Sequence, residues 1–426
     1  MVALFITNLQ RIVIAGLDFD MLRVVILFGM ARVFLRGELT GFRPNNTDRI
    51  FLLWIAVRTL ANAVLQGDMG GLTHALGYAY TALGCYFLVR LYVRSMDDVR
   101  VVVRALAVLS VPVALFMLNE QVTGRNVFSV FGGVPRFTPL REGRLRSQGA
   151  FSHPILAGSF GASLPPLMWG LWAGSGRRVL PAAGAAAGAV ITFASASSGP
   201  FMALIAGFFA AAMWPIRRRY RQVIIAVLVT MAGLQLAMSA PIWALLWRVS
   251  VVSGSKGWHR YILIDQFIRR AGEWWLVGVE STAHWGYGLW DVTNRYVREG
   301  VDAGMASLLL FIGVMVSAYV TVLRTGIDES VRRNDRIMVW ALGASLFVHV
   351  VSFIGVSYFG QMMFFWYLPV AMISSARSQF LAEPQAQAEQ QAQEEPRNQE
   401  EDAWKAYRPA PGWASSGPPS RPTTGE

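Results

Sequence analysis

"VVVRALAVLSVPVALFML", residues 101–118, decides the fold. It carries one charge, Arg104, near its start, and its length is close to the roughly 20 apolar residues that cross a hydrocarbon core. Comparable runs of about 17 to 23 residues lie near 50–66, 72–93, 154–173, 179–196, 199–215, 222–244, 303–323, 337–357 and 360–379, with a weaker one inside 12–35. A chain of 426 residues with 54% hydrophobic and 15% charged residues and a mean hydropathy of +0.41 is too apolar for an ordinary soluble protein. The expectation is an all-α, polytopic integral membrane protein of about 10–12 transmembrane helices, with a membrane domain over 1–380. No cleavable signal peptide is expected, because Arg11, Asp18 and Asp20 interrupt the moderately apolar start.

The net charge of +12 does not point to nucleic acid, because the arginines sit in short clusters between apolar runs. Arg36, Arg43 and Arg49 form one cluster, Arg94, Arg100 and Arg104 another, and Arg177 and Arg178 a third. "WPIRRRYRQ" (214–222) and "RTGIDESVRRNDR" (324–336) complete the set. With the spans above, all five connections fall on one side, which the positive-inside rule makes the cytoplasm. The tail over 381–426, rich in Gln, Ala, Glu and Pro, lacks the apolar residues for a core and is expected to be disordered on that side. Cys85 is single, lies in an apolar run and reads as packing.

Two long loops, 119–153 and 245–302, are then extracytoplasmic. Within the first, the stretch 136–146 holds Arg136, Arg141, Arg144 and Arg146 against one acid, Glu142, on the side where the topology rule expects few arginines. A planar guanidinium fork suits phosphate and stays charged, so an outward arginine cluster beside lipid suggests a lipid-linked phosphate or diphosphate. The second loop opens with "HRYILIDQFIRR" (259–270), an amphipathic helix in which Tyr261, Ile264 and Ile268 recur at helical spacing, expected to lie along the membrane surface. Trp274, Trp275, Trp285, Tyr287 and Trp290 follow, readable as an interfacial belt or as platforms for sugar rings.

"RLRSQGAFSHPILAG" (144–158) resembles the Arg-x-x-Gly-x-Phe-x-x-Pro segment that opens a central span in the O-antigen ligase and polymerase family. "GWHRYILIDQF" (257–267) and "LVGVESTAHWGYGLWDVTNRYVREGVDAGMASLLLFI" (276–312) resemble that family's large periplasmic loop, and the resemblance extends over about residues 50–380. It implies a glycosyltransferase of the GT-C kind in the bacterial inner membrane, inverting and acting without metal, cofactor or nucleotide sugar. Such an enzyme moves glycan units from an undecaprenyl-diphosphate carrier to a glycan or lipid acceptor on the periplasmic face, in O-antigen, capsule or exopolysaccharide biosynthesis. The implied partners are the lipid-linked donor, the acceptor, the membrane, and a chain-length regulator or other export proteins. By the same resemblance Arg146 and Arg260 match the arginines that grip the diphosphate and stabilise the departing charge.

The chain departs from the family where His-Asn is common, since it carries Thr293-Asn294. A base must therefore come from elsewhere, with Asp291, His284, Glu280 and His153 as candidates. Asp291 and His284 are taken with the two arginines as catalytic, and Arg144, His153, Glu280, Asn294, Tyr296 and Trp285 as substrate-binding. Ser198 stands where many members have an arginine. His74 and His349 read as packing residues, and no Cys or His spacing suggests a metal. Arg58 and Arg90 fall within or near span ends, where a charge at the bilayer centre costs about 2.5–3.5 kcal/mol, so each must snorkel or line a polar cavity. The alternative is a transporter for a lipid-linked oligosaccharide, which would place its polarity near the midplane rather than in outer loops.

Overall fold

In the computed structural model, residues 1–380 are described apart from 8, 15–16, 41, 175, 177 and 249–256, so the expected tail, Arg177 and part of the second loop lie outside the described residues. The helices run α1 (Met21–Leu35), α2 (Asn46–Gln66), α3 (Met69–Tyr92), α4 (Met96–Thr123), α5 (Pro154–Gly174), α6 (Val179–Ala194), α7 (Ser198–Ala212) and α8 (Tyr220–Ala237). They continue with α9 (Leu245–Arg248), α10 (Gly257–Arg269), α11 (Ala271–Trp274), α12 (Arg295–Ile327), α13 (Arg333–Ser352) and a last helix, α14, over 362–380. The strands are two short antiparallel pairs, β1 (Arg11–Ile14) with β2 (Leu17–Asp20) and β3 (Leu140–Arg141) with β4 (Arg144–Leu145).

The fold is all-α, and every expected span is mainly helical. Among the described residues four segments are both long and apolar enough to cross a membrane: Met96–Thr123, Trp214–Ala237, Arg295–Ile327 and Arg333–Ser352. Three of the other expected spans, α5, α6 and α7, differ for two physical reasons. α5 carries Pro165 and Pro166 and is buried along most of its length, so its own neighbours replace lipid and it needs less hydropathy. α6 and α7, of 16 and 15 residues, are shorter than the expected spans and meet at a bend whose Ala196 has φ 44°. At 1.5 Å per residue each reaches only about 22–24 Å, less than a core of about 30 Å. α8, in contrast, has no buried residue and exposes Ile225, Leu228, Val229 and Leu236. A helix this apolar and this bare is stable where its surroundings are themselves apolar.

Helix starts follow local chemistry. Asn45 with Asp48, and Ser95 with Asp98, form reciprocal capping boxes for α2 and α4, and Asn294 caps α12. The arginine-rich connections meet at one end of the bundle. Arg94 donates to the Glu38 carbonyl, Arg100 pairs with Asp335, Arg217 donates to the Gly326 carbonyl at 2.8 Å, and Arg218 pairs with Glu329. Gly174, at the end of α5, lies beside Arg100 and Asn334. Near this end Arg90 grips Asp48 through Nε and Nη2, both at 2.8 Å, while Tyr86 and Ser374 donate to the same carboxylate. Arg90 therefore does not snorkel; it is a buried, fully partnered charge.

α12 is broken at Ala303 and Gly304, which have non-helical backbone. The 275–279 segment fills the break: Met305 N–H donates to the Trp275 carbonyl and Val279 N–H to the Val301 carbonyl, each at 2.8 Å. Gly304 has φ 78° and ψ −177°, and a Cβ there would lie 2.3 Å from the Leu276 carbonyl oxygen. Gly304→Ala is expected to lower stability by more than about 2 kcal/mol, since only glycine occupies that backbone region without strain. Gly272→Ala is the control, because nothing lies within 4 Å of its Cβ position. Thermal unfolding in detergent reads both; equal midpoints would show that the break tolerates a side chain.

Candidate functional site

A cavity of 1440 Å³ is lined by residues from both long loops together with α1, α2, α3, α7 and the 355–360 segment. Its wall carries eight arginines and five carboxylates, and the two signs are not evenly mixed. On one wall Arg58 donates to Glu299 at 2.9 Å and Asp302 at 2.8 Å, its guanidinium 4.3 Å from the Tyr78 ring centroid. Arg295 also pairs with Glu299, and Arg298 with Asp302. On that wall three guanidinium groups share two carboxylates and each is ion-paired, and Arg58 lines the cavity instead of snorkelling.

The other wall has no such ion pairs among the described residues. "PLREGRLR" (139–146) forms the β3–β4 hairpin, in which Glu142 (φ 50°) and Gly143 (φ 74°) make the two-residue turn that antiparallel strands favour. Arg141 and Arg144 are cross-strand partners, so two like charges stand opposite each other, an arrangement that costs stability unless an anion answers it. Arg146 follows the hairpin and is buried, its Nη2 donating to Ser197 Oγ at 2.8 Å and its Nε without a partner among the described residues. The backbone behind it is fixed: the Glu120 carboxylate accepts from Gln148 N–H and from Gly149 N–H at 2.9 Å, and Gln361 donates to the Ala150 carbonyl at 2.8 Å. Phe151 is locked among Phe5, Phe160 and Phe365.

Arg260 arrives from the second loop on α10 and reaches the same place. Its Nη2 lies 3.9 Å from a Cβ position on Gly199, and its Nε lies 3.2 Å from one on Gly355. Arg146 and Arg260, 114 positions apart in sequence, thus converge on the Ser197–Gly199 turn that begins α7. A helix N-terminus adds its own partial positive charge and unpaired N–H groups. Among the described residues Arg141, Arg144, Arg146 and Arg260 make no ion pair with a carboxylate. Burial and the charge of Arg141 lower the affinity of Arg146 and Arg260 for their protons. Such a site is electrostatically complete only with an anion.

Two further sequence candidates line this cavity. Asp291, half-buried, has no side-chain partner among the described residues, and its N–H donates to the Gly288 carbonyl. His153 holds its neutral form down to about pH 4, because burial and Arg146 disfavour the charge while Asp291 favours it. Thr293 and Ser198 also face the cavity, Thr293 with a buried Oγ1 that finds no partner among the described residues.

The remaining candidates lie outside it. His284 pairs with Glu273 at 2.7 Å on the exposed loop surface, and Trp285 donates to the same carboxylate at 2.8 Å. These contacts hold the Glu273 carboxyl down to about 2. The Trp285 ring belongs to a small core of the second loop with Leu263, Phe267, Trp274 and Leu289. Trp274 is buried there as well, so neither ring is an interfacial anchor, whereas Tyr287 and Trp290 are exposed. Glu280 is exposed. Asn294 accepts from Tyr296 and Val297 N–H groups as the cap of α12, and Tyr296 donates to the Val350 carbonyl at 3.0 Å. The amphipathic face of α10 also differs from the expected one: Leu263 and Phe267 are buried against the loop core, and Ile268 is 47% exposed. Substituting His284 by Ala is accordingly expected to change stability by no more than about 0.5 kcal/mol in thermal unfolding, as for a surface site. A larger loss would show that the pair with Glu273 holds the loop together.

Sequence reasoning passed over Arg295, Arg298, Asp302 and Tyr78 as site residues. The signal was present: Arg295, Glu299 and Asp302 recur at helical spacing, and the lone charge Arg58 in an apolar run needed partners. Among the described residues no group of His, Cys, Asp or Glu could hold a metal ion. The chain matches no family model, no curated protein and no solved structure.

Proposed function

We propose that this chain is a membrane glycosyltransferase that polymerises or ligates undecaprenyl-diphosphate-linked glycan units during cell-surface polysaccharide biosynthesis, with a slight preference for polymerase. The observation that carries the reading is the convergence of Arg146 and Arg260, with Arg141 and Arg144, on one cavity wall where, among the described residues, no carboxylate pairs with them. Five arginine-rich connections at the opposite end support a cytoplasmic assignment for that end, and so a periplasmic cavity in the bacterial inner membrane. The opposed, ion-paired wall and the size of the cavity leave room for sugars beside a diphosphate.

In this mechanism an acceptor hydroxyl attacks the anomeric carbon of the donor from the face opposite the diphosphate. The new C–O bond forms as the anomeric carbon–phosphate oxygen bond breaks, and configuration inverts. The departing electron pair stays on the diphosphate, where the arginines stabilise the added charge. The hydroxyl proton passes to the Asp291 carboxylate, the one cavity acid outside the hairpin turn with no side-chain partner among the described residues.

The test is the pool of lipid-linked glycans in cells lacking the protein. Accumulated single repeat units support a polymerase, and full-length chains stranded on the carrier support a ligase. Units held on the cytoplasmic face would instead support a transporter and overturn the enzyme.

A further inference from the structure

We infer that His153 serves this cavity as a hydrogen-bond donor through Nε2–H, and not as the base. The inference rests on the proposed diphosphate reading for the identity of the ligand. Its geometric basis is the start of α5. Pro154 has no N–H, so Ile155 supplies the first donor of that helix, and it donates to His153 Nδ1 at 3.1 Å. The His153 carbonyl takes the next two N–H groups, from Leu156 at 3.0 Å and Ala157 at 3.3 Å. A ring nitrogen that accepts from a backbone N–H has its lone pair engaged and carries no proton. The neutral ring therefore bears its hydrogen on Nε2.

Protonation would put a second hydrogen on Nδ1, facing the Ile155 N–H, and would break the cap. The charges that face the ring act mainly in the same direction: Arg146 and Arg141 from the hairpin side oppose a cationic imidazole, and only Asp291, from the loop before α12, favours one. Nε2 has no hydrogen-bond partner among the described residues, and the residue lines the cavity. A neutral donor beside four arginines suits a phosphoryl oxygen, adding a directed contact without further like-charge repulsion. It also leaves Asp291 to take the acceptor's proton.

Two variants separate capping from donation. His153→Asn places a carbonyl oxygen near the Nδ1 position and keeps the cap, but ends short of Nε2. His153→Gln places an N–H donor near Nε2. Binding of undecaprenyl diphosphate to the purified full-length protein in detergent is the readout, with Arg146→Ala as the control. The expected result is an unchanged unfolding midpoint for His153→Asn with binding at least about tenfold weaker, and recovery of most of that loss in His153→Gln. Binding by His153→Asn equal to wild type, with Arg146→Ala impaired, would overturn the role of His153 and leave the diphosphate reading standing. No binding by folded wild-type protein would overturn the diphosphate reading itself. Nitrogen-15 spectra of histidine-labelled wild-type protein decide the tautomer independently: the resonance missing from His153→Asn should be that of an Nε2–H ring at neutral pH. An Nδ1–H or doubly protonated ring there would overturn the inference.

Discussion

Alanine at Arg146 or at Arg260 is expected to reduce glycan transfer by about 10²–10³-fold while the protein remains inserted and abundant, the loss typical of removing one group that stabilises developing charge in a water-poor site. The two losses should be similar in size and less than multiplicative, because both guanidinium groups address the same turn at Ser197–Gly199. Lysine at Arg146 should recover part of the loss, since it restores the charge without the planar fork that reaches Ser197 Oγ. Arg136 provides the contrast. It belongs to the same loop but does not line the cavity and stands over the Phe137 ring, so its alanine variant should transfer normally. A transfer assay with extracted lipid-linked donor measures all four. Equal activity of Arg136→Ala and Arg146→Ala would mean that loop charge, and not the cavity, sets the rate.

The largest effect on stability is expected at Glu299. This fully buried carboxylate accepts from Arg58 at 2.9 Å, Ser307 at 3.2 Å and Trp54 at 3.3 Å, and pairs with Arg295. It joins both sides of the break in α12 to α2. Glu299→Ala would leave two buried guanidinium groups short of their counter-charge, at a cost of about 3–5 kcal/mol. Asp18→Ala removes the exposed Arg11 pair, whose side chains are 55% and 53% accessible, and should cost less than about 1 kcal/mol. Unfolding midpoints in detergent should separate the two variants clearly. Similar shifts would show that water reaches Glu299 and screens it.

These two outcomes mark what could be read from the chain and what could not. The apolar runs located every main helix, because a span must be apolar wherever it meets lipid. The rule weakens for α5, whose glycines, serines and prolines are surrounded by protein. It separates α6 from α7 but overstates their reach, since the apolar residues run on past the ends of helices of only 16 and 15 residues. Arg144 and Arg146 stood out as arginines in a loop where the topology rule expects few, Arg260 came from the family resemblance, and His153 and Asp291 came from the need for a base; the structure places all five on one cavity. His284, Trp285, Asn294 and Tyr296 were chosen by their neighbours in sequence, and their side chains turn to the loop core, the α12 cap and the loop surface. The pairing of Arg58 with Glu299 spans 241 positions, and no local pattern encodes such a contact.

The central claim, that the unpaired arginine wall holds a lipid-linked diphosphate, is tested most directly by the affinity of the purified protein for undecaprenyl diphosphate compared with undecaprenyl monophosphate. Tighter binding of the diphosphate, weakened by salt and lost in the Arg146→Ala, Arg260→Ala double variant, is the predicted result. Equal affinity for the two lipids, unchanged in the double variant, would contradict it.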